Sequence, residues 1–120
     1  MLEAAVVIDH QGQPIYWHTP SDREFGGLPD SQKLWDFLWE RLDARGIAHS
    51  HPGSGMPGPS WEDLTTFAAV ELVLGRLDWW ITSSNHVALF RWAGPGKFTY
   101  KGKLMVDEPS WTKELRRLSV

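Results

Sequence analysis

The stretch that most constrains the fold is His49-Ser50-His51-Pro52-Gly53, followed after a loop rich in Gly and Pro by Ser60-Trp61-Glu62-Asp63. Two histidines two apart on an extended segment project to the same face, so both imidazoles can meet one ion. Pro52 ends the strand, and the next helix starts after Pro59. That puts Asp63 in the first helical turn, where its carboxylate faces back toward the strand end as a natural third ligand. Two histidines and one carboxylate leave zinc an open position for water, as a hydrolytic metal requires. The chain must therefore bring a strand end and a helix start side by side. Each half also has an ordinary reading. His-x-His occurs on exposed strand edges, and Ser60-x-x-Asp63 is a common helix start with Ser60 as the cap.

The remaining sequence predicts one α/β domain over residues 1–120, with a mixed, mostly antiparallel sheet flanked by helices. Leu2 to Ile8 reads as a buried strand and Pro14 to His18 as its hairpin partner around Gly12. Ser21 to Asp30 reads as a loop beside a groove. Ser31 to Ala44 reads as a helix stopped by Gly46, with Leu34, Trp35, Leu38, Trp39 and Leu42 on one face. Ile47 and Ala48 enter the histidine strand, and a helix runs from Trp61 to about Leu74, ended by Gly75. Trp79 to Ser83, Val87 to Trp92, Lys97 to Tyr100 and Lys103 to Val106 read as strands, the last two separated around Gly102. Ser110 is expected to cap a final helix carrying Trp111, Leu115 and Leu118.

A net charge of −3 argues against a surface that tracks nucleic-acid phosphates. No apolar run approaches a membrane span, the start lacks a signal-peptide layout, and the absence of cysteine removes disulfides and thiol chemistry. A soluble cytoplasmic protein is the expectation. Eight tryptophans are many for this length, and they are expected to divide between core and surface. His10, His18 and His86 read as surface or hydrogen-bonded residues, with His18 and His86 candidates for the groove.

His49-Ser50-His51-Pro52 with Ser60-x-x-Asp63 resembles the signature of the JAMM (JAB1/MPN/Mov34) metalloproteases, and the short chain resembles their prokaryotic JAB branch. The loop to Asp63 is one residue longer than the commonest family spacing, which leaves Glu62 as a rival ligand. The family's usual helix ahead of the first strand has no counterpart here. The resemblance implies a JAB/MPN-like domain with one zinc on His49, His51 and Asp63. It makes Ser60 an oxyanion donor and Glu3, at the head of the first strand, the general acid/base. Glu24, Glu40 and Glu62 remain alternatives for that base.

The implied activity is a deubiquitinase-like isopeptidase or peptidase that cuts after the C-terminal Gly-Gly of ubiquitin or a ubiquitin-like protein. Its implied partners are that protein or its conjugates and the activating and conjugating enzymes of the same pathway, with no nucleic acid and no membrane. Two other functions fit the same residues: a non-catalytic MPN-like scaffold using the tryptophan-rich surface, and a JAB-fold hydrolase acting on a different bond.

Overall fold

A computed structural model describes residues 3–19, 32–41 and 43–119. Among these, six strands form a single sheet, β1 (Ala5–Asp9), β2 (Pro14–His18), β3 (Ala44–Ser50), β4 (Asp78–Thr82), β5 (Val87–Trp92) and β6 (Tyr100–Leu104), with helices α1 (Gln32–Glu40), α2 (Trp61–Leu74) and α3 (Trp111–Leu118). The sheet order is β2-β1-β3-β4-β5-β6. Every neighbouring pair is antiparallel except β3 and β4, which run parallel. A parallel pair needs a crossover, and α2 supplies it. The result is the expected α/β domain with a mixed, mostly antiparallel sheet.

Each face of the sheet has its own apolar layer. Ala5, Val7, Ile47, Trp79 and Ile81 face Leu34 and Leu38 of α1 and Phe67 of α2. Val6, Ile8, Ala48 and Trp80 face Trp111 and Leu115 of α3. Because β1 is covered on both faces, Val6, Val7 and Ile8 are wholly buried, which is why it reads as an unbroken apolar run.

Several boundaries differ from expectation, each for a physical reason. Helix α1 stops at Glu40, and Gly46 lies inside β3 rather than ending a helix. A Cβ at Gly46 would stand 1.9 Å from the Asp78 carbonyl oxygen, so the close approach of β4 requires glycine there. The two short strands expected around Gly102 are the single strand β6, with Gly102 opposite Phe90. A Cβ at Gly102 would meet the Phe90 ring at 2.2 Å, so glycine lets that ring lie across the strand. Ser110 starts α3 without a side-chain capping bond, its backbone already being helical. Gly75 ends α2 as expected, at φ 86° with its N–H on the Glu71 carbonyl oxygen. Trp79, Trp80 and Trp111 are buried, whereas Trp39 and Trp61 are exposed. Ser31, Leu42 and the loop from Ser21 to Asp30, with Glu24, lie outside the described residues.

Candidate metal centre

The parallel pairing sets the site. His49 and Ser50 end β3 beside Ile81 and Thr82 of β4, and the His51 N–H continues the ladder by donating to the Thr82 carbonyl oxygen at 2.8 Å. The Gly/Pro loop that follows is tied to the β4–β5 turn. Ser84 N–H donates to the Gly53 carbonyl, Gly55 N–H donates to Asn85 Oδ1, and the Ser83 hydroxyl donates to the Gly55 carbonyl. The loop therefore delivers the chain to α2 on fixed contacts. There Ser60 and Asp63 form a reciprocal capping box: Ser60 Oγ accepts the Asp63 N–H at 3.1 Å, and Asp63 Oδ2 accepts the Ser60 N–H at 2.9 Å.

That cap aims Asp63 at the histidines. Asp63 Oδ2 lies 2.9 Å from His51 Nε2 and 3.5 Å from His49 Nε2, and the two Nε2 atoms are 3.0 Å apart. His49 also packs edge-on against Phe67 of α2, with ring centroids 6.3 Å apart, which holds its orientation. Burial alone would push the Asp63 carboxyl up. Hydrogen bonds from both imidazoles and the Ser60 N–H outweigh it and hold the group well below the usual carboxylate range. Burial alone would lower His51, but the Asp63 hydrogen bond and the charges of Asp63 and Glu3 leave it raised.

Glu3 reaches the same point from just ahead of β1. It precedes Ala5 by two residues and so shares the sheet face of His49, the Cα partner of Ala5. Its Oε1 is 3.9 Å from His51 Nε2, and the residue is 5% exposed. Desolvation raises its pKa, against the pull of His49 and His51. The segment carrying it is clamped through Ser50, whose side chain points to the opposite face. Ala4 N–H donates to Ser50 Oγ at 2.9 Å, Ser50 N–H donates to the Ala4 carbonyl at 3.0 Å, and the Ser119 hydroxyl donates to Ser50 Oγ at 2.6 Å. This clamp escaped the sequence reading. Its one signal is a hydroxyl on the strand face that also carries the apolar Ala48, since a buried polar group there needs a partner.

Glu3, His49 and His51 form a group able to hold a metal ion, their ligand atoms lying within 4.8 Å of one another. The alternative triad of His49, His51 and Asp63 is tighter, at 2.9 to 3.5 Å. Ligands bound at roughly 2.0–2.1 Å in a tetrahedron stand about 3.3 Å apart. The tighter triad comes close to that edge length. Glu3 stands farther off, its Oε1 3.9 Å from His51 Nε2. Glu62, the rival of Asp63, is exposed, as is Glu40 at the end of α1.

The cluster forms the polar end of a cavity of about 790 Å³ lined by α1, α2 and the sheet. His18 also lines it. It is buried, not superficial, and occupies the cross-sheet row His18, Ala5, His49, Ile81. His10 is exposed and His86 bonds Asn85 Oδ1 through Nδ1. Among the described residues no helix is long and apolar enough to cross a membrane. The chain matches no protein-family model and no curated protein.

Proposed function

We propose that this protein is a zinc-dependent isopeptidase or peptidase of the JAMM type, cutting after the C-terminal Gly-Gly of a ubiquitin-like protein. One observation carries the reading: His49, His51 and Asp63 converge at tetrahedral spacing while a buried carboxylate, Glu3, stands just outside that triad on the same face. Three inner ligands with a base beside the open position is the arrangement of a hydrolytic site.

His49, His51 and Asp63 would hold the zinc, which when bound would supply Lewis acidity and lower the pKa of neighbouring water toward neutrality. The chain's own groups do the rest. Glu3 takes a proton from the attacking water and returns it to the departing amine. Its raised pKa suits that exchange better than an ordinary carboxylate's would. Ser60 Oγ accepts the Asp63 N–H, which leaves its hydroxyl proton free to donate to the carbonyl oxygen as negative charge builds there. Capping and oxyanion stabilisation are thus compatible in one residue. Asp63 stays ionised throughout, held by the imidazoles and the Ser60 N–H.

The test is metal content together with cleavage. Protein purified without chelator is expected to carry about one zinc per chain, His51→Ala and Asp63→Asn are expected to lose it, and Glu62→Gln to keep it. Cleavage of a Gly-Gly-linked ubiquitin-like fusion is expected only from the zinc-loaded forms. Unchanged metal content in both ligand variants would overturn the assignment.

A further inference from the structure

The cavity extends well beyond the polar cluster, and its far part is apolar. On α2 the lining positions Asp63, Thr66, Phe67, Val70 and Leu74 recur at helical spacing, changing from polar at the metal end to apolar further on. Leu34, Leu38 and Ile47 face them from α1 and β3. Helix α2 is thus apolar on more than its sheet-facing side. Val73 is 61% exposed and Trp39 of α1 is 52% exposed, both at the margin of the cavity. A volume near 790 Å³ falls within the roughly 300–1,000 Å³ typical of ligand pockets and far exceeds what two glycines fill.

From the continuity of this apolar space with the ligand cluster we infer that the site selects a large apolar side chain at the residue immediately before the Gly-Gly pair. The inference rests on the proposed cleavage and specifies its substrate. The distances agree. Val70 stands two turns along α2 from Asp63, roughly 10 Å. Three extended residues cover about the same length, at roughly 3.3 Å each. A chain lying along α2 with its scissile carbonyl at the cluster therefore brings the side chain of its third residue to Val70, beside the exposed Val73 and Trp39. Among the described residues no charged group lines that portion, so an arginine or aspartate there would be desolvated without a partner from them.

The test uses product-like tripeptides with free C-terminal carboxylates, acetyl-Leu-Gly-Gly, acetyl-Arg-Gly-Gly and acetyl-Gly-Gly-Gly, titrated by calorimetry into the protein with and without zinc. Binding of these acids requires no turnover, so it is read independently of cleavage. The leucine peptide is expected to bind about tenfold or more tighter than the glycine peptide, the gain from burying one large aliphatic side chain. The arginine peptide is expected to show no such gain. Val70→Trp, which fills the space, should abolish the preference while keeping metal content. Ala69→Trp, at an exposed lining position, provides the same test should Val70→Trp fail to fold. Equal binding of all three peptides, or a preference surviving in the folded tryptophan variant, overturns the inference even when zinc binding and Gly-Gly cleavage are intact. Absence of zinc and of cleavage would instead overturn the proposed function.

Discussion

Replacing Ser50 by alanine tests whether the segment bearing Glu3 is held as described. The hydroxyl accepts the Ala4 N–H at 2.9 Å and the Ser119 hydroxyl at 2.6 Å, and Ala4, Ser50 and Ser119 are all buried. In Ser50→Ala the Ala4 N–H loses its acceptor where no water reaches it, whereas the Ser119 hydroxyl retains the Leu115 carbonyl at 2.7 Å. One unmade buried donor costs about 1–3 kcal/mol. At roughly 4 °C per kcal/mol for a domain of this size, the melting temperature should fall by about 4–12 °C. The bond from Ser50 N–H to the Ala4 carbonyl remains, so the strand stays paired but frays more readily. The imidazoles of His49 and His51 lie on the other face of β3, so zinc content should not change. Calorimetric melting, amide exchange at Ala4 and metal analysis read these outcomes separately. Unchanged Ala4 protection with a melting temperature within about 1 °C of the parent would refute the clamp.

The other predictions concern charge and its burial. In metal-free protein, Glu3→Gln should raise stability at neutral pH and flatten its pH dependence. The folded Glu3 pKa lies above its unfolded value, so its favourable contribution is complete below the unfolded pKa and is lost as pH rises through the folded one; chemical denaturation at pH 4 and pH 7 checks the sign, and a loss of stability at pH 7 refutes it. In the zinc-loaded protein the same variant should retain metal and lose cleavage by at least about a hundredfold, and full activity would remove Glu3 from the mechanism. Glu71 accepts from the Trp79 indole, the Leu77 N–H, the Tyr100 hydroxyl and Arg76. Glu71→Ala should therefore cost at least about 2 kcal/mol in urea unfolding, and a change below about 0.5 kcal/mol would contradict that network.

Elements set by local chemistry were legible in the chain. The β-branched run of β1, the Ser60–Asp63 cap and Gly75 depend on neighbours in sequence, and all three are found, although β1 runs from Ala5 to Asp9 where Leu2 to Ile8 was expected. Features set by distant partners were not. Gly46 looks like a helix stop until Asp78 is seen against it, and Gly102 looks like a break until Phe90 crosses it. Glu71 reads as one more position along a helix, yet its side chain is buried with donors from β4 and β6 converging on it. Ser83, Ser84 and Asn85 stand only where one expected strand gives way to the next, yet they fasten the loop between His51 and Ser60. In the site, the spacing of His49, His51 and Asp63 announced their convergence, because one strand, loop and helix contains all three. The place of Glu3 depended on the β1–β3 register, which sequence spacing does not encode.

That division has a consequence for how the centre is put together. The groups proposed to hold the ion belong to a contiguous piece of chain, His49 to Asp63, whereas the proposed base, Glu3, joins them only when β1 closes on β3 across a separation of 46 residues. The longer closure costs about 1 kcal/mol more chain entropy than the short one, and such contacts form later in folding. On the proposed reading, the ligand triad and the base are therefore placed by different contacts: the triad by the β3–β4 pairing and the cap of α2, and Glu3 by the closure of the first strand on β3.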